Sequence, residues 1–196
     1  MHEQLAWPAL FVLGCYHGLN PGMGWLFAVA LGLQERSLRA VVGAIGPIAI
    51  GHIVSIALVV ALALAASWVF PAHDVRIAAA VLLVVFGIFR LLRARHPRWV
   101  GMRVGAAGLM LWAFLMSSAH GAGLMLLPFV MMPSMQPKTG ALMVAVHTLG
   151  YLLAMLLVAI VVYAKFGLRL LRSAWFNVDL LWAIALILAG VVAFVT

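Results

Sequence analysis

The sequence predicts an all-α fold: a polytopic membrane helix bundle of six transmembrane helices, arranged as two inverted three-helix repeats. Three observations lead there. Of 196 residues, 67% are hydrophobic and 8% charged, against about 45–50% and about 25% in an ordinary soluble domain. Only lipid can solvate that much apolar surface. The basic residues cluster in alternate loops, and the chemical features of the first three spans recur in the last three.

The first expected span covers about 5–33 and is broken at Asn20-Pro21-Gly22. Proline removes a backbone donor and clashes one turn back. The second covers about 40–70, with Gly46-Pro47 as a kink, and the third about 75–92. The fourth covers about 104–132 and contains Gly121 and Gly123. The fifth and sixth cover about 139–164 and 178–195. A straight span needs about 20 residues, so the first, second and fourth must tilt, kink or break. The whole chain, 1–196, reads as one membrane domain, with repeats at about 5–93 and 103–196.

The N-terminus "MHEQLAWPAL" has no basic segment and carries Glu3, so the first span does not read as a cleavable signal. Cys15 is the one cysteine, which excludes an internal disulfide. The net charge of +8 is a topology signal. Arg36 and Arg39 lie in loop 1–2. Arg90, Arg93, Arg95, Arg98 and Arg103 lie in or beside loop 3–4, and Lys165, Arg169 and Arg172 in loop 5–6. The other side has only Arg76 and Lys138. Positive loops stay cytoplasmic, so both termini are expected outside, on the periplasmic face of a bacterial inner membrane. The arginines flank helices, where they meet anionic headgroups. They lack interleaved aromatics, so nucleic acid is not an expected partner.

Both broken spans carry a histidine beside glycine, His17-Gly18 and His120-Gly121. Spans two and five each carry one more, His52 and His147, while spans three and six carry none. Three spans per half is an odd number, so the second half must be inverted. Inverted repeats with interrupted helices build many secondary transporters, with the site near the midplane. At about 1.5 Å per residue, His17 and His52 lie about 18 Å into their spans, His120 about 24 Å and His147 about 12 Å. All four fall in the middle of a hydrocarbon core about 30 Å thick. Ionisable groups there face the bundle interior and mark functional sites.

Further donors surround them. Met116 and Met143 each precede a histidine by four residues, on the same helix face, and Met23 follows His17 by six. Methionine also fills apolar cores, which is the plainer reading for these three. Ser55 lies near His52 and Thr148 beside His147 as supporting polar groups. Asn20 and the carbonyls opened at the break are expected to face cargo, with Gly18, Pro21, Gly22 and Gly121 forming hinges or close approaches. Imidazole with thioether suits Cu(I), and imidazole alone suits Ni, Co or Zn. The four acids, Glu3, Glu35, Asp74 and Asp179, all lie near span ends. A site without carboxylates favours a monovalent metal, a transient divalent one, or an anion on protonated histidines.

The stretch "GCYHGLNPGMGWLFAV" resembles the first helix of the nickel/cobalt transporter family, which carries His-Ala-x-Asp-Ala-Asp-His there. His17 matches the first histidine. Asn20 and Gly22 stand in place of the two aspartates, and Met23 in place of the second histidine. "GH" at 51–52 and "HG" at 120–121 are similar to other small motifs of that superfamily, which includes six-span lysine-exporter-like proteins. The resemblance implies a small-cation or metal permease. With the motif acids absent, a neutral His/Met/Asn site suits a softer ion or a different substrate.

The expected function is therefore a permease for a small cation, most of all a transition metal, working by alternating access around His17, His52, His120 and His147. The alternative is a membrane metalloenzyme or haem-binding redox protein using the same histidines. Against the enzyme, there are no denser His-x-x-His clusters and no acid to complete a triad with Ser117 or Ser118. Against two stacked haems, the four histidines share one depth. The expected partners are lipid and the cation, with self-association into a homo-oligomer left open.

Overall fold

The computed structural model describes residues 2–92, 105–130, 137–166, 184, 186–188, 190 and 191. The described residues are helical and turn-forming, without strands. Helix α1 (His2–Leu19) leads through a 3₁₀ turn (Pro21–Met23) into α2 (Trp25–Glu35). Then come α3 (Leu38–Ser67), α4 (Ala72–Leu92), α5 (Ala106–Ala119), α6 (Ala122–Val130) and α7 (Pro137–Val161). A π-helical turn, Val162–Phe166, extends α7.

Two of these helices, Leu38–Ser67 and Lys138–Phe166, are long and apolar enough to cross a membrane. The pair α5–α6 qualifies as a third span if counted together, bent by 58° at its break. The expected sixth span at 178–195 lies almost wholly outside the described residues, as do Arg93, Arg95, Arg98, Arg103, Arg169 and Arg172.

The first break has a local cause. Asn20 caps the 3₁₀ turn in extended backbone (φ −66°, ψ 122°) and Pro21 opens it. The Asn20 side chain accepts from the Gly22 N–H at 2.9 Å. Gly24 then turns the chain at φ 124°, a conformation that a side chain would strain. The second break differs. His120 ends α5, and Gly121, at φ 69°, starts the new direction. The expected kink at Gly46-Pro47 does not interrupt α3, whose helical assignment runs unbroken from Leu38 to Ser67.

The distribution of side chains is compatible with a membrane environment. Large apolar groups stand exposed along α3 (Ile50, Ile53, Val54, Leu58, Leu62), α4 (Val81, Leu82, Val85) and α7 (Leu142, Leu149, Leu153, Leu157). Among the described residues, the buried polar ones are His17, Asn20, His52, Ser55, Ser117, His120, His147 and Thr148. A water-soluble protein would reverse that arrangement, because polar groups are costly in hydrocarbon and cheap in water.

Two helix pairs pack backbone to backbone. In the α1–α7 pair, Gly14 and Gly18 lie against the backbone of His147, Tyr151 and Met155, and Gly150 against Phe11 O and Cys15 N. In the α3–α5 pair, Gly51 lies against Met110 O and Phe114 N. Glycine permits this approach where a β-carbon would collide. The two contacts share one register: 11, 15 and 150 become 110, 114 and 51 when 99 is added to the first two and subtracted from the last. The first residues of α3 and α7, Leu38 and Pro137, are also 99 apart, as are Gly22 and Gly121, and Gly24 and Gly123.

Candidate functional site

Three of the four predicted histidines meet. His17, in the last turn of α1, His52, in the middle of α3, and His147, on α7, are each fully buried. Their ring centroids lie 6.1 Å apart for His17–His52, 5.0 Å for His17–His147 and 5.9 Å for His52–His147. The α1–α7 glycine contact brings His17 and His147 together.

Hydrogen bonds fix the chemistry of the rings. His17 Nδ1 lies 3.0 Å from Leu13 O, and His120 Nδ1 2.7 Å from Met116 O. A carbonyl only accepts, so each Nδ1 carries the proton and each neutral ring keeps its lone pair on Nε2. His52 Nδ1 lies 2.7 Å from Ser117 Oγ. Ser117 Oγ also lies 3.9 Å from the Met23 sulfur. His52 Nε2 has no hydrogen-bond partner among the described residues. For His147, the Leu10 backbone lies close enough to interact but not in hydrogen-bond geometry. Metal-binding histidines commonly anchor one nitrogen in this way and present the other.

The spacing suits an ion better than the ring orientation does. Metal–nitrogen bonds of about 2.0–2.1 Å would hold three imidazole centroids roughly 5–5.5 Å apart. Yet no group of three or more His, Cys, Asp or Glu among the described residues presents its donors so as to hold a metal ion. His17 meets His147 edge-on at 78°, and His52 is stacked on Tyr151 (centroids 3.8 Å, 16°). Binding one ion here requires the rings to turn.

Tyr151 is the residue that sequence reading missed. It is fully buried, covers one face of His52 and donates from its hydroxyl to Met23 O at 3.0 Å. Its position one turn after His147 was the available signal. Ser117, which was considered only for a hydrolytic triad, is the hydrogen-bond partner of His52.

The carbonyls of the first break do not wait for cargo. Leu19 O accepts from Trp25 Nε1 at 3.0 Å, Gly22 O from Trp112 Nε1 at 3.1 Å, and Met23 O from Tyr151. Three aromatic donors thus satisfy a broken helix inside the bundle, as a membrane interior demands. The other predicted groups divide. Met23 is buried beside Ser117 and Tyr151. His120 and Met116 lie at the second break, facing Gly22. Met143 packs in an apolar cluster with Ala6, Leu10, Ile56 and Leu126. Ser55 bonds Ser118 at 2.9 Å rather than a histidine. Thr148 is buried, and its hydroxyl has no hydrogen-bond partner among the described residues. Gly18 is a close-approach residue and Gly121 a turn.

No protein-family model, curated protein or solved structure matches the chain.

Proposed function

We propose that this protein is a permease for a small cation, a transition metal, that works by alternating access about the buried histidines. The observation that carries the reading is the meeting of His17, His52 and His147 within 5.0–6.1 Å beside a broken helix. Two of these rings come from the first half of the chain and one from the second. Any movement of the halves relative to each other therefore opens or closes the cluster.

In the same proposal the chain has six spans in two inverted repeats, about 5–93 and 103–196, with both termini on the periplasmic side of a bacterial inner membrane. The 99-residue register supports the repeats. It relates α1–α7 packing to α5–α3 packing, and the Gly22/Gly24 turn to Gly121/Gly123. This register changes the equivalences read from the histidines alone. His17 corresponds to Met116, and His52 to Tyr151, rather than His17 to His120 and His52 to His147. The scaffold repeats while the donors do not. His52 and Tyr151, at equivalent positions, stack on each other, as residues on a two-fold axis between the halves would.

Transport of Cu(I), Ni(II), Co(II) and Zn(II) into proteoliposomes tests the reading. At least one ion should enter faster than in protein-free vesicles. His17→Ala and His120→Ala should each abolish entry at unchanged expression. Normal transport by the double variant would overturn the proposal.

A further inference from the structure

Resting on the cation-permease reading and its 99-residue register, we infer that the bundle holds two half-paths to the histidine cluster, one open and one closed. The open one is a cavity of about 280 Å³ between α2, α3 and the start of α5. It lies at the end of the bundle where α2 stops and α3 begins, cytoplasmic in the proposed orientation.

The lining suits a cation in transit. Among its residues Glu35, at the end of α2, alone carries a charge. Gly43 and Pro47 border the same space from α3. Proline has no N–H, so the Gly43 carbonyl, four residues earlier, lacks its helical donor. A β-carbon on Gly43 would meet no heavy atom within 4 Å. A carboxylate and a spare carbonyl oxygen hold a soft ion weakly, which favours passage over storage.

One face of α3 leads from the cavity to the cluster. Ala44 lines the cavity, Ile48 is fully buried, and His52 belongs to the cluster. Residues four apart share a helix face, about 6 Å from one to the next along the axis. Ile48 packs in one apolar cluster with Leu109 from the cavity lining. It is therefore the seal between the cavity and the histidines.

The closed half-path is the equivalent of this cavity at the opposite end. Six of the nine lining residues map by the register onto one packed apolar cluster. Leu31, Ala44 and Pro47 become Val130, Met143 and Val146. Gly105, Ala106 and Leu109 become Ala6, Trp7 and Leu10. Ala44 and Ala106 thus leave open the kind of space that Met143 and Trp7 fill at the other end. The stripe equivalent to Ala44, Ile48 and His52 is Met143, His147 and Tyr151. Met143, 1% exposed, stands one turn from His147 and is the seal on that side. Its unbranched side chain adapts readily to a new packing. Inverted repeats exchange arrangements during alternating access. The Met143 end therefore opens as the Ala44 end collapses.

Thiol accessibility tests the two ends in purified full-length protein in detergent, in a Cys15→Ser background. Ala44 and Ala6 are almost equally buried, at 5% and 4% exposed. Ala44→Cys should nevertheless react with a small, positively charged methanethiosulfonate about tenfold faster than Ala6→Cys or Met143→Cys, because thiols packed in apolar surroundings are inert. Filling the cavity with the residues of the other end, Ala44→Met/Ala106→Trp, should abolish cation transport into proteoliposomes without lowering the unfolding temperature. Ala44→Met alone, expected to slow transport, carries this arm if the double variant fails to fold. Equal labelling at the two ends, or transport by the filled variant at the parent's rate, would overturn the half-paths and leave the cation permease standing. A parent that transports none of Cu(I), Ni(II), Co(II) and Zn(II) would overturn both.

Discussion

At the scale of single residues, the break in the first span depends on three aromatic donors. Tyr151→Phe keeps the stack on His52 but leaves Met23 O without its bond. Trp112→Phe does the same to Gly22 O. A buried carbonyl left unsatisfied costs about 1–3 kcal/mol. Each variant should therefore unfold at a lower temperature in detergent, followed by circular dichroism, than Leu153→Ala on the exposed face of α7. Unfolding at the parent's temperature would show that water replaces the aromatic donor. The histidines were legible in the sequence because an imidazole in a hydrophobic run has no cheap place except the interior. Tyr151 was not, since tyrosine in a membrane helix reads equally as an interfacial anchor. Its role appears only when α7 is laid against α1 and α3.

Helix pairs set the next scale, and here glycines of one helix separate by environment. Gly43, Gly46 and Gly51 share α3, but no heavy atom lies within 4 Å of a β-carbon placed on Gly43 or Gly46. A β-carbon on Gly51 collides with the Met110 carbonyl. Gly43→Ala and Gly46→Ala should be neutral or stabilising by up to about 1 kcal/mol, because alanine favours helix. Gly51→Ala, and Gly150→Ala at the equivalent position in α7, should each cost about 1–3 kcal/mol as the backbones move apart. Thermal unfolding of the four variants checks the pattern. Equal stability of all four would contradict the packing of α3 on α5 and α1 on α7. Sequence reading located the breaks well, since proline and glycine act locally. At Gly46-Pro47 the helix runs on unbroken, because a proline within a long apolar helix can be absorbed by neighbours without ending it.

For the whole molecule, the proposed orientation rests on the basic loops. Gln34, at the end of α2, should lie on the cytoplasmic side, and Trp68, past the end of α3, on the opposite side. In a Cys15→Ser background, Trp68→Cys should react with a membrane-impermeant maleimide in intact cells. Gln34→Cys should react only after lysis. The reverse pattern would invert the topology and, with it, the assignment of the basic loops to the cytoplasm.

The sequence by itself determined the helical class, the apolar character of the long helices, the positions of both breaks and the identity of the polar groups that had to be buried. Hydropathy and helix-breaking act over a turn or a span, so a linear reading captures them. Which groups meet was decided by tertiary structure. The histidines suggested one alignment of the halves, His17 with His120. The glycine contacts impose another, His17 with Met116 and His52 with Tyr151. Close backbone approach is a property of two helices together. It fixes register to within one residue, and a shift of a few residues around a helix turns a side chain away from one neighbour and toward the next. That register placed three imidazoles in one cluster and set His120 beside Gly22.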